Sequence, residues 1–373
     1  MKNIIVLGGG CMGAAIAWRL HEAGLGQVRW ILPAGGAHEH LHPSATLVAP
    51  QLFHAQRQRA LPLQSLMKLK LSSEQLLQHV AERTGFTLEK SRKGSLLIAY
   101  EDKKIREWGD VAIAQRAQGL EAHLLDPFSV RDVEPHLGAD LAGAIYLPEA
   151  YSLRRNPLFT AMESILSLAG VPVERGIHPL GVETVSGQVK GLRTRRGTLQ
   201  VDELILCESP QSIGLLQGLQ LHPGVSPMTS IQMELAPESD VPQRTLSTSE
   251  LLVTPTSKSL GVQWTNQGAT PNNVLTVGDL EQTATTLSRL LPKARTLPML
   301  SIRKVHGEKT FQGVPRFSGQ NRFGGLHYAL GLGAWEGLFL AGIPDLVERR
   351  LRRIELPEWS RPLICMGERH GHK

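Results

Sequence analysis

The first twenty residues constrain the fold more than any other stretch of the chain. An uninterrupted apolar run over residues 4–7 predicts a parallel strand that is buried on both faces. Three glycines follow at once, and the apolar pattern of residues 14–20 then predicts a helix. Gly8, Gly10 and Gly13 have the spacing G-x-G-x-x-G. In this pattern the first glycine allows a tight turn, the second lets backbone approach a pyrophosphate, and the third lets the helix pack closely against the strand.

This strand, turn and helix predict a site for an adenine dinucleotide. The free N–H groups and the positive dipole end of the helix would face the phosphates. Cys11 and Met12 lie between the second and third glycines and belong to the predicted site. The alternative, a tight turn between strand and helix that binds no ligand, remains open.

The length of 373 residues predicts two domains, or one large α/β domain with an insertion. No apolar run reaches the length of about 18 residues that is needed to cross a bilayer. The glycine turn after Leu7 argues against a signal peptide, so we expect a cytoplasmic protein without a membrane span. Cys11, Cys207 and Cys365 lie far apart, which argues against a metal site and against a disulfide framework.

The formal net charge is +6 and the sequence pI is about 9.3. The lysines and arginines are dispersed along the chain, so solvated surfaces explain them more simply than a nucleic-acid partner does. We therefore predict no nucleic-acid binding. An anionic cofactor and anionic substrates account for the positive charge.

The second predicted strand, residues 28–32, lacks a feature of dinucleotide-binding folds. Such a strand usually ends in an acidic residue that binds the ribose hydroxyls, whereas this chain has Leu32 and Pro33 there. A loop rich in small residues follows. Within that loop, the small side chains that would let backbone approach a second phosphate or a ring are those of Ser44, Ala45 and Thr46.

The middle of the chain is rich in strand signals. A helix is predicted over residues 156–169, and strands follow between residues 171 and 206 with hairpin turns at Ser186-Gly187 and Arg196-Gly197. The wholly apolar residues 204–206 predict a strand that returns to the parallel sheet. Later strand patterns predict a second, antiparallel sheet.

A second glycine turn near the C-terminus resembles a segment of a known protein family. Residues 324–338, GGLHYALGLGAWEGL, resemble the flavin-contacting segment of the FAD-dependent family of D-amino-acid oxidase, glycine oxidase and D-amino-acid dehydrogenase. In that family the backbone N–H groups of the turn and the following helix N-terminus face the flavin pyrimidine ring, where they stabilise negative charge on the reduced flavin. The resemblance implies flavin contacts from Gly331, Gly333, Ala334, Trp335, Glu336, Gly337 and Leu338.

Weaker matches occur in the same order as in the family. Residues 43–51 resemble its small-residue loop beside the flavin, residues 132–135 resemble a Glu-Pro element before a substrate-domain strand, and residues 201–207 resemble its return strand. Together with the two glycine turns, these matches extend the resemblance over nearly the whole chain.

The resemblance implies an α/β fold of mixed α+β character with FAD as its cofactor. A Rossmann-like FAD-binding domain, discontinuous in sequence, is expected from residues 1–90, 145–215 and 320–373. A second domain built on an antiparallel sheet is expected to cover the substrate, and it would comprise residues 91–144 and 216–319.

The implied reaction is oxidation of the C–N bond of a small amino acid or secondary amine by hydride transfer to flavin N5. The family's Gly-x-Arg-Pro element, whose arginine pairs with the substrate carboxylate, corresponds to residues 307–310 and places Lys309 at the arginine position. Arg303 and Arg316 are rival anchors. His306 and Tyr328 complete the predicted substrate site, and homo-oligomerisation is left open.

Departures from the family keep two alternatives open. Leu32 and Pro33 replace the ribose-binding acid, Glu208 and Ser209 replace a small residue and a glycine over the cofactor, and Lys309 lacks the two-pronged fork of arginine. One alternative is therefore a catalytically degenerate flavin-fold protein that acts as a binding or assembly partner. Another is an NAD(P)-dependent dehydrogenase with a single Rossmann domain.

Overall fold

A computed structural model describes most of the chain. The described residues are 1–33, 45–57, 60–91, 93–236, 241–256, 259–266, 274–310, 313–318 and 322–365.

Short strands make up the sheets of the molecule, and their bounds define the labels used below. In chain order they are β1 (Asn3–Leu7), β2 (Gln27–Pro33), β3 (Ala45–Val48), β4 (Ser95–Ala99), β5 (His123–Leu125), β6 (Gly143–Leu147), β7 (Tyr151–Arg154), β8 (Val173–Ile177), β9 (Pro179–Val185), β10 (Gln188–Thr194), β11 (Gly197–Gln200), β12 (Glu203–Cys207), β13 (Val225–Leu235), β14 (Thr245–Ser247), β15 (Leu251–Pro255), β16 (Leu260–Asn266), β17 (Met299–Thr310), β18 (Arg316–Ser318), β19 (Leu326–Leu330) and β20 (Ile364–Cys365).

Helices connect and cover these strands. They are α1 (Gly10–Glu22), α2 (Pro50–Gln56), α3 (Leu63–Thr84), α4 (Asp102–Arg116), α5 (Pro127–Val133), α6 (Arg155–Leu168), α7 (Pro210–Gly218), α8 (Val277–Leu290), α9 (Glu336–Phe339) and α10 (Gly342–Arg352). Turns of 3₁₀ helix lie at Pro292–Thr296, Gly333–Trp335 and Glu358–Leu363. No helix in the described ranges is long and apolar enough to cross a bilayer.

The first sheet has the strand order β20-β18-β19-β12-β1-β2-β8. The four pairings that join β19, β12, β1, β2 and β8 are parallel, and β18 pairs antiparallel with β19. Alternate side chains of β1 face opposite sides, as the two-residue period of a strand requires. Ile4 and Val6 pack against a helical layer that includes α1, α3, α6 and α10. Ile5 and Leu7 pack on the other side against the small sheet β9–β11. Burial on both faces explains the uninterrupted apolar run.

The second sheet has the order β17-β13-β16-β15-β14-β4-β6-β5 and is antiparallel except where β14 meets β4. Its apolar face packs with residues of α5 and α8 in a separate hydrophobic cluster. The long strand β17 pairs with β13 along most of its length and ends at Thr310, beside the first sheet. The end of β17 in the second sheet therefore lies next to the glycine turn that follows β19.

Strand pairing crosses the predicted domain boundaries at two strands. A boundary between residues 144 and 145 cuts β6, which pairs with β4 from Gly143 to Leu147 and so belongs entirely to the second sheet. A boundary between residues 319 and 320 leaves β18 with the substrate domain, although Phe317 pairs with Ala329 in the first sheet. Strand pairing partners lie far away in sequence, so local patterns did not indicate them.

Candidate active site

The first glycine turn is shaped by close packing. Gly8, Gly9 and Gly10 have φ angles of 77°, 80° and 50°, in the left-handed region that favours glycine. A Cβ atom on Gly13 would lie 2.0 Å from the Gly8 carbonyl oxygen and 2.7 Å from Nε1 of Trp30. Trp30 Nε1 also donates a hydrogen bond to that carbonyl over 3.0 Å. The third glycine therefore allows α1 to contact β1, as its position in the motif predicts.

The second glycine turn leads from β19 into α9. Gly331 has a φ of 71°, and a Cβ on it would lie 2.4 Å from Cγ2 of Thr310 at the end of β17. Thr46 connects this turn to β3, because its hydroxyl accepts a hydrogen bond from Gly337 N over 2.6 Å and donates one to the Ala334 carbonyl over 3.1 Å. Segments from three distant parts of the chain thus meet at this turn.

A cleft of about 1060 Å³ separates the second turn from the second sheet. One wall is formed by residues 331–335, and the opposite walls come from β17 and from residues 247–252. Trp335 lines the cleft and packs edge-on against Phe53 with ring centroids 5.1 Å apart. The cleft therefore lies where a flavin-binding turn and a substrate-covering sheet would enclose a ligand.

Charged groups of both signs line the cleft. The guanidinium carbon of Arg57 lies 5.9 Å from the centre of the Trp335 ring, and burial lowers the pKa of Arg57. Glu308 is 5% exposed, and burial, with the nearby Glu208 charge adding to it, raises the pKa of its carboxyl well above the usual range. Lys309 also lines the cleft and is exposed. The arrangement suits a small ligand that carries both a positive and a negative group.

Two further carboxylates bind the glycine turns directly. Glu336 Oε1 accepts a hydrogen bond of 2.7 Å from Met12 N at the start of α1, and Glu208 Oε2 accepts bonds of 3.1 Å from Leu332 N and Gly333 N. Burial raises the pKa of both carboxyls, and these N–H groups partly oppose that effect. Each turn therefore already binds an anionic group of the protein.

Comparison with known proteins identifies the family. A family model described as FAD dependent oxidoreductase, DAO, matches residues 3–343. The chain belongs to this family. The resemblance to amino-acid oxidases that the two glycine turns carry is thereby confirmed, and FAD is the cofactor of the family.

Sequence relatives of this FAD dependent oxidoreductase are distant. The bifunctional protein ThiO/ThiG of Trichormus variabilis is 24% identical over 308 residues, which cover 80% of this chain and 45% of that protein. The mitochondrial pyruvate dehydrogenase phosphatase regulatory subunit of Mus musculus is 23% identical over 206 residues, covering 55% of this chain and 22% of that protein. The chain spans less than half the length of either relative.

Solved structures match over almost the entire chain. Glycine oxidase from Geobacillus kaustophilus superposes with a TM-score of 0.84 at 20% identity, covering 99% of this chain and 100% of that one. L-Proline dehydrogenase from P. horikoshii gives a TM-score of 0.78 at 16% identity, covering 97% of each chain. These likenesses show the fold, and they confirm the predicted mixed α/β class.

The backbone of both turns fits FAD. A Cβ on Gly10 would approach only Glu336 Oε1, at 3.8 Å, and a Cβ on Gly333 would meet no atom within 4 Å. Both glycines therefore leave space on the ligand side, as backbone that must approach a cofactor requires. FAD would be held by the α1 N-terminus through its pyrophosphate and by the second turn through its flavin ring.

The predicted cofactor-binding residues separate into those at the turns and those in the core. Cys11 and Met12 are buried at the start of α1, and Ala45 pairs with Arg154 between β3 and β7. Leu338 is fully buried in the helical layer, so its side chain supports the turn from behind. Ser44 lies outside the described residues.

The predicted substrate residues do not all reach the cleft. Lys309 lines it, but Tyr328 packs with the cluster between the first sheet and β9–β11, on the opposite side of the sheet from α1. Arg303 and Arg316 are not among the cleft-lining residues. His306 lies on β17 opposite Thr229, and its side chain is outside the described part of the structure.

Four charged residues of the site were not predicted as site residues. Glu208 was noted only as a departure, although it directly follows a central parallel strand, where ligands of such sheets bind. Arg155 begins α6, where a positive charge opposes the helix dipole and so signals a partner. Glu308 and Arg57 carry no comparable local signal, since the fold alone brings them together.

Proposed function

We propose that this protein oxidises the C–N bond of a small amino acid or secondary amine, with FAD as the hydride acceptor. The supporting observation is the cleft of about 1060 Å³, which has the second glycine turn on one side and oppositely charged side chains around it. When bound, FAD supplies the two-electron acceptor for such a reaction. The residues of this chain then have to hold the substrate α-carbon near that acceptor and bind the charged groups of the substrate. They also have to accept one proton from the substrate ammonium.

Arg57 is the proposed anchor for the substrate carboxylate. Its guanidinium is half-buried, its Nε has no hydrogen-bond partner among the described residues, and it lines the cleft beside Trp335. Gly313 makes room for it, because a Cβ there would lie 2.5 Å from the guanidinium carbon. An arginine offers a carboxylate two parallel hydrogen bonds, which the exposed Lys309 does not.

Glu308 is the proposed partner of the substrate amine. Neither of its carboxylate oxygens has a hydrogen bond of normal geometry within the described residues. Burial raises its pKa well above the usual range, and the nearby N–H groups of Gly331 and Ser209 oppose that shift only in part. A carboxylate with a raised pKa is a suitable base near neutral pH. Glu308 would accept a proton from the substrate ammonium, leaving the neutral amine that can release a hydride from its α-carbon.

Anaerobic flavin reduction tests the proposed function. FAD-loaded protein is mixed with glycine, sarcosine, proline and D-amino acids, and at least one of these is expected to bleach the flavin absorbance. Arg57→Met should weaken binding of that substrate about 10- to 100-fold, since a charged hydrogen bond contributes roughly 1.5–3 kcal/mol. The matched variant Lys309→Met should change binding less than about threefold, because an exposed ion pair contributes little.

Two outcomes contradict this assignment in different ways. If Lys309→Met weakens binding as much as Arg57→Met does, the lysine at the family's arginine position is the anchor after all. If no amine bleaches an FAD-loaded protein, the oxidation of amines is not its function.

A second candidate function is favoured by the carboxylates on the turns. Glu336 and Glu208 bind backbone N–H groups that face cofactor in the proposed enzyme, and Leu32 and Pro33 replace the ribose-binding acid. A catalytically degenerate protein that acts as a binding or assembly partner does not need cofactor contacts at these positions, so it would be compatible with both the bound carboxylates and the missing acid. Amine-dependent flavin reduction excludes this candidate.

A further inference from the structure

The N-terminus of α1 binds an anion that belongs to the protein itself. Met12 N is one of the helix N–H groups without an intrahelical partner, and it donates to Glu336 Oε1 over 2.7 Å. In the motif around Gly8, Gly10 and Gly13, these N–H groups and the helix dipole would bind a phosphate. The Glu336 carboxylate therefore occupies a position that a dinucleotide phosphate requires.

The second turn has the same arrangement with a different glutamate. Leu332 N and Gly333 N both donate to Glu208 Oε2 over 3.1 Å. These are N–H groups at the turn that would face the flavin ring. Glu336 and Glu208 come from opposite turns of the site, since Glu336 follows the second turn and Glu208 lies beside the first, where its carbonyl accepts a hydrogen bond from Gly9 N.

Arg155 joins the two carboxylate-bound turns. Its Nε lies 3.1 Å from Glu336 Oε2, and its guanidinium also donates to the Gly333 carbonyl. The space left between the turns is about 50 Å³, lined by Gly9, Gly10, Cys11, Arg155, Phe159, Glu208 and Glu336. The two carboxylates already accept hydrogen bonds from the turn N–H groups that a dinucleotide would use. These side chains must move before a dinucleotide can accept the same bonds.

The electrostatic surroundings make a neutral carboxyl the favourable form once FAD is present. Glu336 is buried next to Arg155, and the other titratable groups that face the two carboxyls are Cys11 on α1, Cys207 on β12 and Glu308 on β17. Arg155 supplies the positive charge among these groups. A bound pyrophosphate adds two negative charges and competes for Arg155, so an ionised Glu336 or Glu208 is opposed from both directions.

We propose that Glu336 and Glu208 are internal anions that close the cofactor site, and that FAD binding displaces both carboxylates while at least one of them takes up a proton from solvent. This inference rests on the proposed function, because it takes FAD as the ligand. Arg155 exchanges the Glu336 carboxylate for a phosphate in the same step. The proton comes from solvent and remains on the displaced carboxyl.

The sign of the pH dependence follows from this exchange. A site that gains a proton on binding has higher affinity at lower pH, and uptake of one proton changes the dissociation constant by up to about tenfold per pH unit. The dependence extends from the pKa of the carboxyl in the cofactor-free protein, which burial already raises, to its higher pKa beside a phosphate. FAD affinity should therefore fall as the pH is raised through this interval.

A titration of the apoprotein with FAD tests the proposal. Binding is followed by flavin fluorescence and equilibrium dialysis at several pH values between about 5.5 and 8.5, for the wild type, Glu336→Gln, Glu208→Gln and the double variant. The control is Glu163→Gln on α6, whose carboxylate pairs with Arg175 and does not bind either turn. The wild type should lose affinity as the pH rises. The double variant should bind at least about tenfold more tightly at the highest pH and show a flatter profile.

Proton uptake is measured separately from affinity. Adding FAD to the weakly buffered wild-type apoprotein near pH 7 should raise the pH of the solution, and adding it to the double variant should raise it less. A wild-type affinity that does not change with pH, or a double variant with the wild-type slope, overturns the proposal while the proposed function stands. If no variant binds FAD at any pH, both the proposal and the proposed function are overturned.

Discussion

The two glycine turns satisfy the same sequence requirement for different physical reasons. At the first turn, a Cβ on Gly13 would lie 2.0 Å from the Gly8 carbonyl oxygen, which is backbone and cannot move aside. At the second turn, a Cβ on Gly333 would meet no atom within 4 Å. Gly13 is therefore needed to pack α1 on β1 whether or not a ligand binds, whereas Gly333 keeps space open beside a cleft.

This difference separates evidence for a fold from evidence for a ligand. When packing requires the last glycine of a G-x-G-x-x-G pattern, the pattern is evidence for close contact between the strand and the helix. Evidence for a ligand has to come from the residues around the turn, and here Glu336 and Glu208 already bind the N–H groups of the two turns. Both kinds of observation are needed to assign the site.

The largest expected effect separates two glycines of the first turn. Gly13→Ala should destabilise the protein by about 3 kcal/mol, because its Cβ meets the backbone of Gly8 and the indole of Trp30. Gly10→Ala should cost only about 1 kcal/mol, which is the strain of its φ of 50°. Urea unfolding followed by circular dichroism measures both. Equal losses of stability would mean that packing of α1 on β1 does not distinguish these two glycines.

The backbone of the site was largely predictable from the sequence. The return strand predicted at residues 204–206 lies within β12, next to β1, and the predicted helix at residues 156–169 is α6. The second glycine turn follows β19 as the family resemblance implies. These features are encoded by local patterns of apolar residues and glycines, and local patterns are what a single sequence displays.

The charged chemistry of the site was not predictable in the same way. Tyr328 follows the strand period of β19 and faces the cluster on the far side of the sheet, so nearness to the turn in sequence did not place it in the cleft. Arg57 reaches the cleft because α2 ends beside Gly313, which is distant in sequence. Contacts of this kind depend on the tertiary fold, and no periodicity encodes them.

The next largest effect concerns the buried carboxylate of Glu308. Glu308→Gln should stabilise the protein at pH 8 by about 1–3 kcal/mol, because burial disfavours the ionised carboxylate and the nearby N–H groups of Gly331 and Ser209 offset this only in part. Burial raises the pKa of Glu308 in the folded state, so its stabilising neutral form is fully present below the unfolded pKa of about 4.3. That contribution is lost as the pH rises through the folded pKa.

Thermal unfolding of the apoprotein across this pH range measures the effect. The stability of Glu308→Gln relative to the wild type should increase from acid to alkaline pH. The control is Glu250→Gln, since Glu250 lines the same cleft but is exposed. Flavin reduction by substrate should be slower in Glu308→Gln, since its side chain no longer accepts the ammonium proton. A variant that is no more stable than the wild type at pH 8 would show that Glu308 is well accommodated when ionised.

The smallest change in stability is expected at Gly333, where it sharpens the comparison of the two turns most directly. Gly333→Ala places a methyl group in open space, so it should cost only the strain of a φ of 50°, about 1 kcal/mol. The same methyl group narrows the side of the turn that lines the cleft, and it should therefore reduce the FAD bound per chain at equal protein concentration. Gly13→Ala is expected to lose stability and FAD together, whereas Gly333→Ala should lose FAD with its stability nearly intact. If Gly333→Ala binds FAD as the wild type does, the second turn is open for a reason other than the cofactor. The cleft in front of it would then have to be assigned to a different ligand.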